Sequence, residues 1–281
     1  ITRESGAPFA YDKADEEGSC LNREPLSADP RQVDSALRAQ LNDISAACQL
    51  LQRRAQERDR EYLALIYRGT LRAMRILEQR ELARRLEDED ELRVVFADLE
   101  LVDWCRTITS HAGELLASLG ITVTFQTELV QLPTLGDRGL LEQLLYALLS
   151  NAAKAMDGGG RLSVALGRRG DNAVLTVGDE GRGMSEETLV RLFQDGDGPN
   201  LLPGAGAGFG LRLARTIAEL HGGLMILEND PGHGVRAAVC LPIREERRMR
   251  LESPRPVEHG FDRGLVALAD VLPLEAFSRS G

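Results

Sequence analysis

Apolar residues fall at Leu37, Leu41, Ile44, Cys48 and Leu51, spaced four, three, four and three. That is the seam of an amphipathic helix with a heptad repeat. The spacing returns at Leu63, Ile66, Thr70, Ala73 and Leu77 after a charged break from Arg53 to Arg60, so the pattern predicts a two-helix hairpin over 30–91. Each helix buries one stripe, and two hairpins from two chains would close a four-helix bundle. A hairpin packed on its own chain is the alternative. Gly69 weakens the second helix by up to ~1 kcal/mol. Residues 1–29 are polar, interrupted by Gly and Pro and without period, which reads as a linker or poorly ordered lead-in.

From residue 92 the rhythm becomes mixed. A short strand is expected within Leu92–Leu101, a helix from Trp104 to Leu119 ended by Gly120, and a half-buried strand at Ile121, Val123 and Phe125. Leu140 to Met156 reads as a strongly apolar helix closed by Gly158, Gly159 and Gly160. Arg161–Leu166 and Asn172–Val177 read as a strand hairpin around Arg169 and Gly170. A helix near Ser185–Phe193, a Gly- and Pro-rich loop, a helix from Phe209 to His221 and strands at Leu224–Leu227 and Val235–Leu241 complete the run. The fold class is therefore α+β: a helical hairpin (30–91), then an α/β sandwich with helices on one face of a mixed sheet (92–245). A charged stretch and a short apolar segment, Leu265 to Phe277, form a tail over 246–281 that has no place in this scheme except as a docking helix.

Composition narrows the function. A net charge of −10 with only 4% aromatic residues argues against a duplex nucleic-acid binder. Cys20, Cys48, Cys105 and Cys240 are scattered, form no C-x-x-C, and fit reduced thiols in a cytosolic protein. No apolar run reaches the ~20 residues a membrane span needs. The chain begins at Ile1 rather than Met. A cytoplasmic location is expected, within the soluble part of a longer, membrane-anchored protein.

Three segments bear chemistry. Asn151 and Lys154 sit on the apolar helix, where an amide needs a partner and a lysine one turn on can meet an anion as a point charge. Asp179 ends a strand just before Gly181 and Gly183, which let the backbone turn tightly beside a ligand. Gly204, Gly206, Gly208 and Gly210 lead into the helix at Phe209, removing bulk so that backbone N–H groups can face phosphates. Taken singly, each has a plain alternative: a structural amide, an Asp-Gly turn, a flexible loop.

Their order and spacing resemble the ATP-binding domain of sensor histidine kinases, within the GHKL superfamily of gyrases, heat-shock chaperones, histidine kinases and mismatch-repair ATPases. So does the downstream text from Leu211 to Gly223 and from Pro231 to Leu241. The resemblance covers residues 92–243. It implies a Bergerat-type sandwich that binds ATP with Mg²⁺. Asn151 would hold the metal, Asp179 the adenine amino group, and Lys154, Gly181, Gly183, Gly204, Gly206, Gly208, Gly210 and Leu211 the remainder of the nucleotide. It also implies a homodimer through 30–91 and a response-regulator receiver as partner. Phe193 matches an aromatic near the lid, and His221 reads as a helix-end residue rather than a base.

Departures limit the activity. Aligning Leu37–Ile44 with the family's phosphoacceptor box puts Ala39 at the histidine and Gln40 at the acid, and no histidine occurs before His111. Position 39 lies about 200° from Leu37 and Leu41, so it faces outward, but a methyl group cannot attack a phosphate. Ala147 stands where relatives have a second Asn or a Glu base. The lid from Gln194 to Pro203 has no cation, leaving Arg191 and Arg212 at its edges. Three readings follow: an ATP-binding, histidine-kinase-like module that does not phosphorylate itself, a kinase acting on a partner as anti-sigma-factor kinases do, and a non-catalytic adaptor for a response regulator.

Overall fold

The computed structural model describes residues 29–87, 94–156, 158–185, 209–244 and 261–278. The predicted lead-in (to residue 28), the helix near Ser185–Phe193 beyond its first residue, and Arg191, Phe193 and the lid loop lie outside them.

α1 (Pro30–Gln52) starts with Asp29 accepting from the Arg31 N–H and Pro30 in the first turn, where a missing N–H costs nothing. A turn at 53–56 reverses the chain into α2 (Glu57–Glu87). Asp34 beside Arg80, Arg38 beside Glu81 and Gln49 bonded to the Tyr67 hydroxyl record the antiparallel pairing. The hairpin is as expected, but its seam only in part. Leu41, Ser45, Cys48 and Gln52 turn inward with Asp34, whereas Leu37, Ile44 and Leu51 are 45%, 43% and 56% exposed. On α2 the buried row is Ala64, Tyr67, Leu71, Met74 and Leu77, while Ile66 faces out. The apolar stripe of α1 is split: Leu41 and Cys48 turn toward α2, while Leu37, Ile44 and Leu51 stay outside, and the buried row of α2 meets both α1 and the C-terminal tail.

β1 (Ala97–Glu100) falls within the strand expected at 92–101 and pairs antiparallel with β3 (Pro133–Gly136), which the sequence pattern did not disclose. α3 (Leu101–Leu116) follows β1 without a gap, because the Glu100 carboxylate caps the N–H groups of Val102 and Asp103. The main sheet has the order β2 (Ile121–Gln126), β4 (Gly160–Arg169), β5 (Asn172–Asp179), β7 (Gly234–Pro242), β6 (Leu224–Asp230). Only β2–β4 is parallel, and its crossover runs through α4 (Arg138–Ala155). Alternate residues Leu162, Val164 and Leu166 of β4, Leu175 and Val177 of β5, and Val239 and Leu241 of β7 are buried under α3, α4 and α5 (Phe209–Leu220). The helices thus cover one face, as alternation predicts.

The tail belongs to the same core. α6 (Arg263–Leu268) and the turn Leu274–Phe277 bury Leu265, Val266, Leu268, Leu272 and Phe277 between the hairpin and the sheet unit. The Phe277 ring meets Tyr67 edge-on at 6.4 Å, and Gln52 Nε2 donates to the Phe277 carbonyl at 2.6 Å. Arg263 pairs with Glu142 of α4 at 2.8 Å. Packing does not divide at residue 246.

Candidate functional site

The site is assembled where the C-terminal end of α4 meets the turn after β5. The Arg182 N–H bonds to the Ala155 carbonyl at 3.2 Å, one turn past Asn151. A Cβ at Gly181 would lie 2.6 Å from that carbonyl oxygen, so only glycine allows the approach. Gly183 has φ +72°, and a Cβ there would press on the Asp230 carbonyl at 2.8 Å. The helix that carries Asn151 and the turn that follows Asp179 are therefore joined at this close contact.

Asp179 is half-buried. Its Oδ1 accepts from the N–H groups of Gly181 at 2.9 Å and Val235 at 3.4 Å, while Oδ2 takes no hydrogen bond among the described residues. Burial raises its pKa above the usual carboxylate range, against the opposing pull of those two donors. The free oxygen suits a donor such as an exocyclic amino group. The Asn151 amide is also partly buried and has no side-chain partner among the described residues, a condition that favours a ligand or metal.

Lys154, one turn beyond Asn151 on α4, has an anionic partner in the tail. Its ammonium reaches Asp270 of the tail at 3.4 Å. Burial lowers its pKa, with Arg75 adding to the effect and Asp270 opposing it. Gly210 stands against α4 through Ala147, 3.6 Å from its carbonyl oxygen to a Cβ placed on the glycine. That brings the last member of the glycine run to one turn before Asn151. Gly204, Gly206 and Gly208 lie outside the described residues. The Leu211 side chain is in the core, so only its backbone can face a ligand.

His221 is a helix-end residue, as read. Its Nε2 accepts from the Asp137 N–H at 3.1 Å, which makes Nδ1 the donor to the Ile217 carbonyl at 2.8 Å. Burial holds it neutral, lowering its pKa. Ala39 and Gln40 are both exposed on α1. The four cysteines gave no metal expectation, and among the described residues no His, Cys, Asp or Glu cluster could hold a metal.

One positioning residue escaped the sequence reading. Asn229 of β6 accepts from the Met184 N–H at 2.7 Å and donates to the Met184 carbonyl at 3.1 Å. This two-point clamp mimics a strand partner and fixes the turn after Asp179. An Asn near a strand end has many ordinary uses, so nothing in the pattern marked it.

The sandwich, its one-sided helical layer and the glycine turn beside α4 define a GHKL-type ATP-binding domain. Residues 136–245 match the family described as histidine kinase-, DNA gyrase B-, and HSP90-like ATPase. With the hairpin in front, the chain resembles the core of sensor histidine kinases. It is 30% identical over 164 residues to the signal transduction histidine-protein kinase BaeS of Escherichia coli (strain K12), across 57% of this chain and 35% of the relative. It is 28% identical over 216 residues to the sensor protein DivL of Caulobacter vibrioides, across 76% of this chain and 28% of the relative. Among solved structures, full-length ShkA in complex with AMPPNP superposes with a TM-score of 0.60 at 18% identity, over 77% of this chain and 46% of that one. This chain thus spans from 12% to 36% of the length of the curated relatives it matches. No helix among the described residues is long and apolar enough to cross a membrane.

Proposed function

We propose that this chain binds ATP with Mg²⁺ in the cleft between α4 and the turn after β5, and signals within a two-component system without phosphorylating its own hairpin. The observation that carries this reading is the pair of half-buried groups on α4 and at the end of β5, whose following turn meets that helix. The Asn151 amide and Asp179 Oδ2 have no partner among the described residues, and glycines at 181 and 183 clear space beside them. Asn151 would offer its amide oxygen to Mg²⁺, which takes few protein ligands and completes its shell with water and phosphate oxygens. Asp179 would accept from the adenine amino group and so select adenine.

Autophosphorylation fails for lack of a nucleophile. Ala39 stands at the outward position of α1 that the family resemblance assigns to histidine, with Gln40 in place of the acid. The readout is then conformational: nucleotide shifts the ATP-binding unit relative to a hairpin that pairs with a second copy and presents a surface to a receiver domain. A cytoplasmic site of action fits this role.

The test is an ATP titration with and without Mg²⁺, on the wild type and on Asp179→Asn. The wild type should bind in a Mg²⁺-dependent way, and the variant about tenfold or more weaker, the loss of one charged hydrogen bond. No labelled phosphate should enter the wild type, while Ala39→His with Gln40→Glu should gain label at position 39. An absence of binding leaves only the adaptor reading. Label on the wild type or on an added partner leaves the partner-kinase reading.

A further inference from the structure

Three cations from two parts of the fold converge on one carboxylate of the tail. Arg75 Nη1 donates to Asp270 Oδ2 at 2.7 Å, Arg72 Nε lies 3.3 Å from Oδ1, and Lys154 Nζ reaches Oδ2 at 3.4 Å. Arg72 and Arg75 sit one turn apart on the hairpin's α2, and Lys154 one turn beyond Asn151 on α4. The charges do not balance. Asp270 is the carboxylate that acts on both Arg75 and Lys154, while Arg75 also feels Arg72 and Lys154 feels both arginines.

Arg75 is poorly hydrated, with its side chain 14% exposed, and a buried cation needs an anion to offset its desolvation. It also lines a cavity of about 350 Å³ between the hairpin and α4. Glu78, Glu81 and Glu142 line that cavity together with Arg38 and Arg263, and Arg75 is the member of the cluster that reaches it. The cavity wall on α4 includes Tyr146 and Ala147, on the helix that bears Asn151 and Lys154. Guanidinium and ammonium donors around a single point are the usual surroundings of a phosphoryl group, whose charge near −2 matches the surplus better than one carboxylate does.

We propose that Arg72, Arg75 and Lys154 form a phosphoryl-binding site that Asp270 fills in cis, and that the terminal phosphate of a bound nucleotide displaces it. The inference rests on the nucleotide reading above. Its consequence is a coupling between nucleotide and tail. Asp270 is one of the tail's attachments to both the hairpin and α4, so the phosphate that takes its place weakens the strap that joins them. Linkage requires the reverse as well: a docked tail lowers affinity for ATP.

Full-length wild type, Asp270→Asn, Lys154→Ala and the double variant should be titrated with Mg·ATP and with AMP, each first checked for folding by circular dichroism. Asp270→Asn should bind ATP about fivefold or more tighter, the low end of ordinary coupling between sites. Its affinity for AMP, which lacks the terminal phosphate, should not change, and the gain should vanish in the Lys154→Ala background. Phe277→Ala, which loosens the far end of the tail and leaves all four charges in place, should shift ATP affinity the same way. Hydrogen exchange over 263–278 in the wild type should quicken on adding Mg·ATP. Equal ATP affinity in wild type and Asp270→Asn overturns this proposal and leaves the nucleotide reading intact. No binding of either nucleotide by any variant overturns both.

Discussion

His111 joins α3 to both α4 and the tail: Nδ1 meets the Tyr146 hydroxyl of α4 at 3.0 Å and Nε2 the Asp262 carboxylate of the tail at 3.1 Å. The hydrogen bond that the imidazole gives to Asp262 raises its pKa above the usual imidazole value. Burial opposes this, and the charges of Asp262, Glu114 and Glu142 add to it. Asp262 is correspondingly depressed: burial pushes it up, but the bond and charge of His111, with the N–H groups of Leu265 and Gly264, outweigh that. Tyr146 stays a neutral hydroxyl, its pKa raised by burial first and then by Glu142 and Asp262, with Arg263 opposing. A histidine with a raised folded pKa contributes stability that is complete below its unfolded value, near 6.5, and is lost as pH rises through the folded one. The aspartate's share is present above about 3.9 and is lost as pH falls through its depressed value. The latch is therefore strongest between these limits. The melting temperature of wild type minus that of His111→Gln should be largest near pH 5–6 and shrink steadily toward pH 8–9. A difference that is flat across that range would remove the ion pair from the tail's attachment.

At the scale of elements, the tail's entry into the core depends on one missing side chain. A Cβ on Gly264 would stand 2.6 Å from His111 Cε1 and 2.9 Å from Leu115 Cδ1, and the imidazole is pinned by its two bonds and cannot yield. Gly264→Ala should thus lift α6 from α3 at a cost of about 1–3 kcal/mol, read as a lowered denaturation midpoint. The sheet unit should stay folded and exchange in 263–278 should rise. The apolar spacing from Leu265 to Phe277 announced a segment needing cover, but not where it would find it. Contacts 200 residues apart, such as Arg72 with Ala269, leave no local trace. The strands and helices of the sandwich were legible because each obeys its own period and ends at glycines or capping carboxylates. The glycine turn beside Asp179 was legible for the same reason, since close backbone approach demands a residue type. Which residues of the α1 stripe would turn toward α2 was not legible, because periodicity reports a stripe and not its partner. Asn229 was missed because its clamp depends on a loop 45 positions away.

For the whole molecule, that split stripe has a consequence. α1 turns Asp34, Ser45 and Gln52 inward and leaves Val33, Leu37, Ile44 and Leu51 in solvent, and α2 adds Tyr62, Leu65, Ile66 and Ile76. A helix does not keep its polar residues inside and its aliphatic ones outside unless the outer face is buried elsewhere, and an apolar surface of this extent marks an association site. These residues recur along both helices of one hairpin, and a second copy related by a two-fold axis would cover them in a four-helix bundle. The tail has already taken the buried row of α2 around Tyr67, so the outer stripe is left for the partner. Light scattering should give twice the chain mass for the wild type at micromolar concentration. Ile44→Asp with Ile66→Asp places charges in the middle of both stripes, and each must be desolvated for the copies to meet. Their combined cost should raise the dimer dissociation constant about a hundredfold or more. Neither residue supports the monomer's own core, so circular dichroism and the affinity for ATP should hold while the mass falls to that of one chain. A wild type that stays monomeric at high concentration would mean that the exposed stripe meets some other surface, and the hairpin would have to be read as a docking arm rather than as half of a bundle.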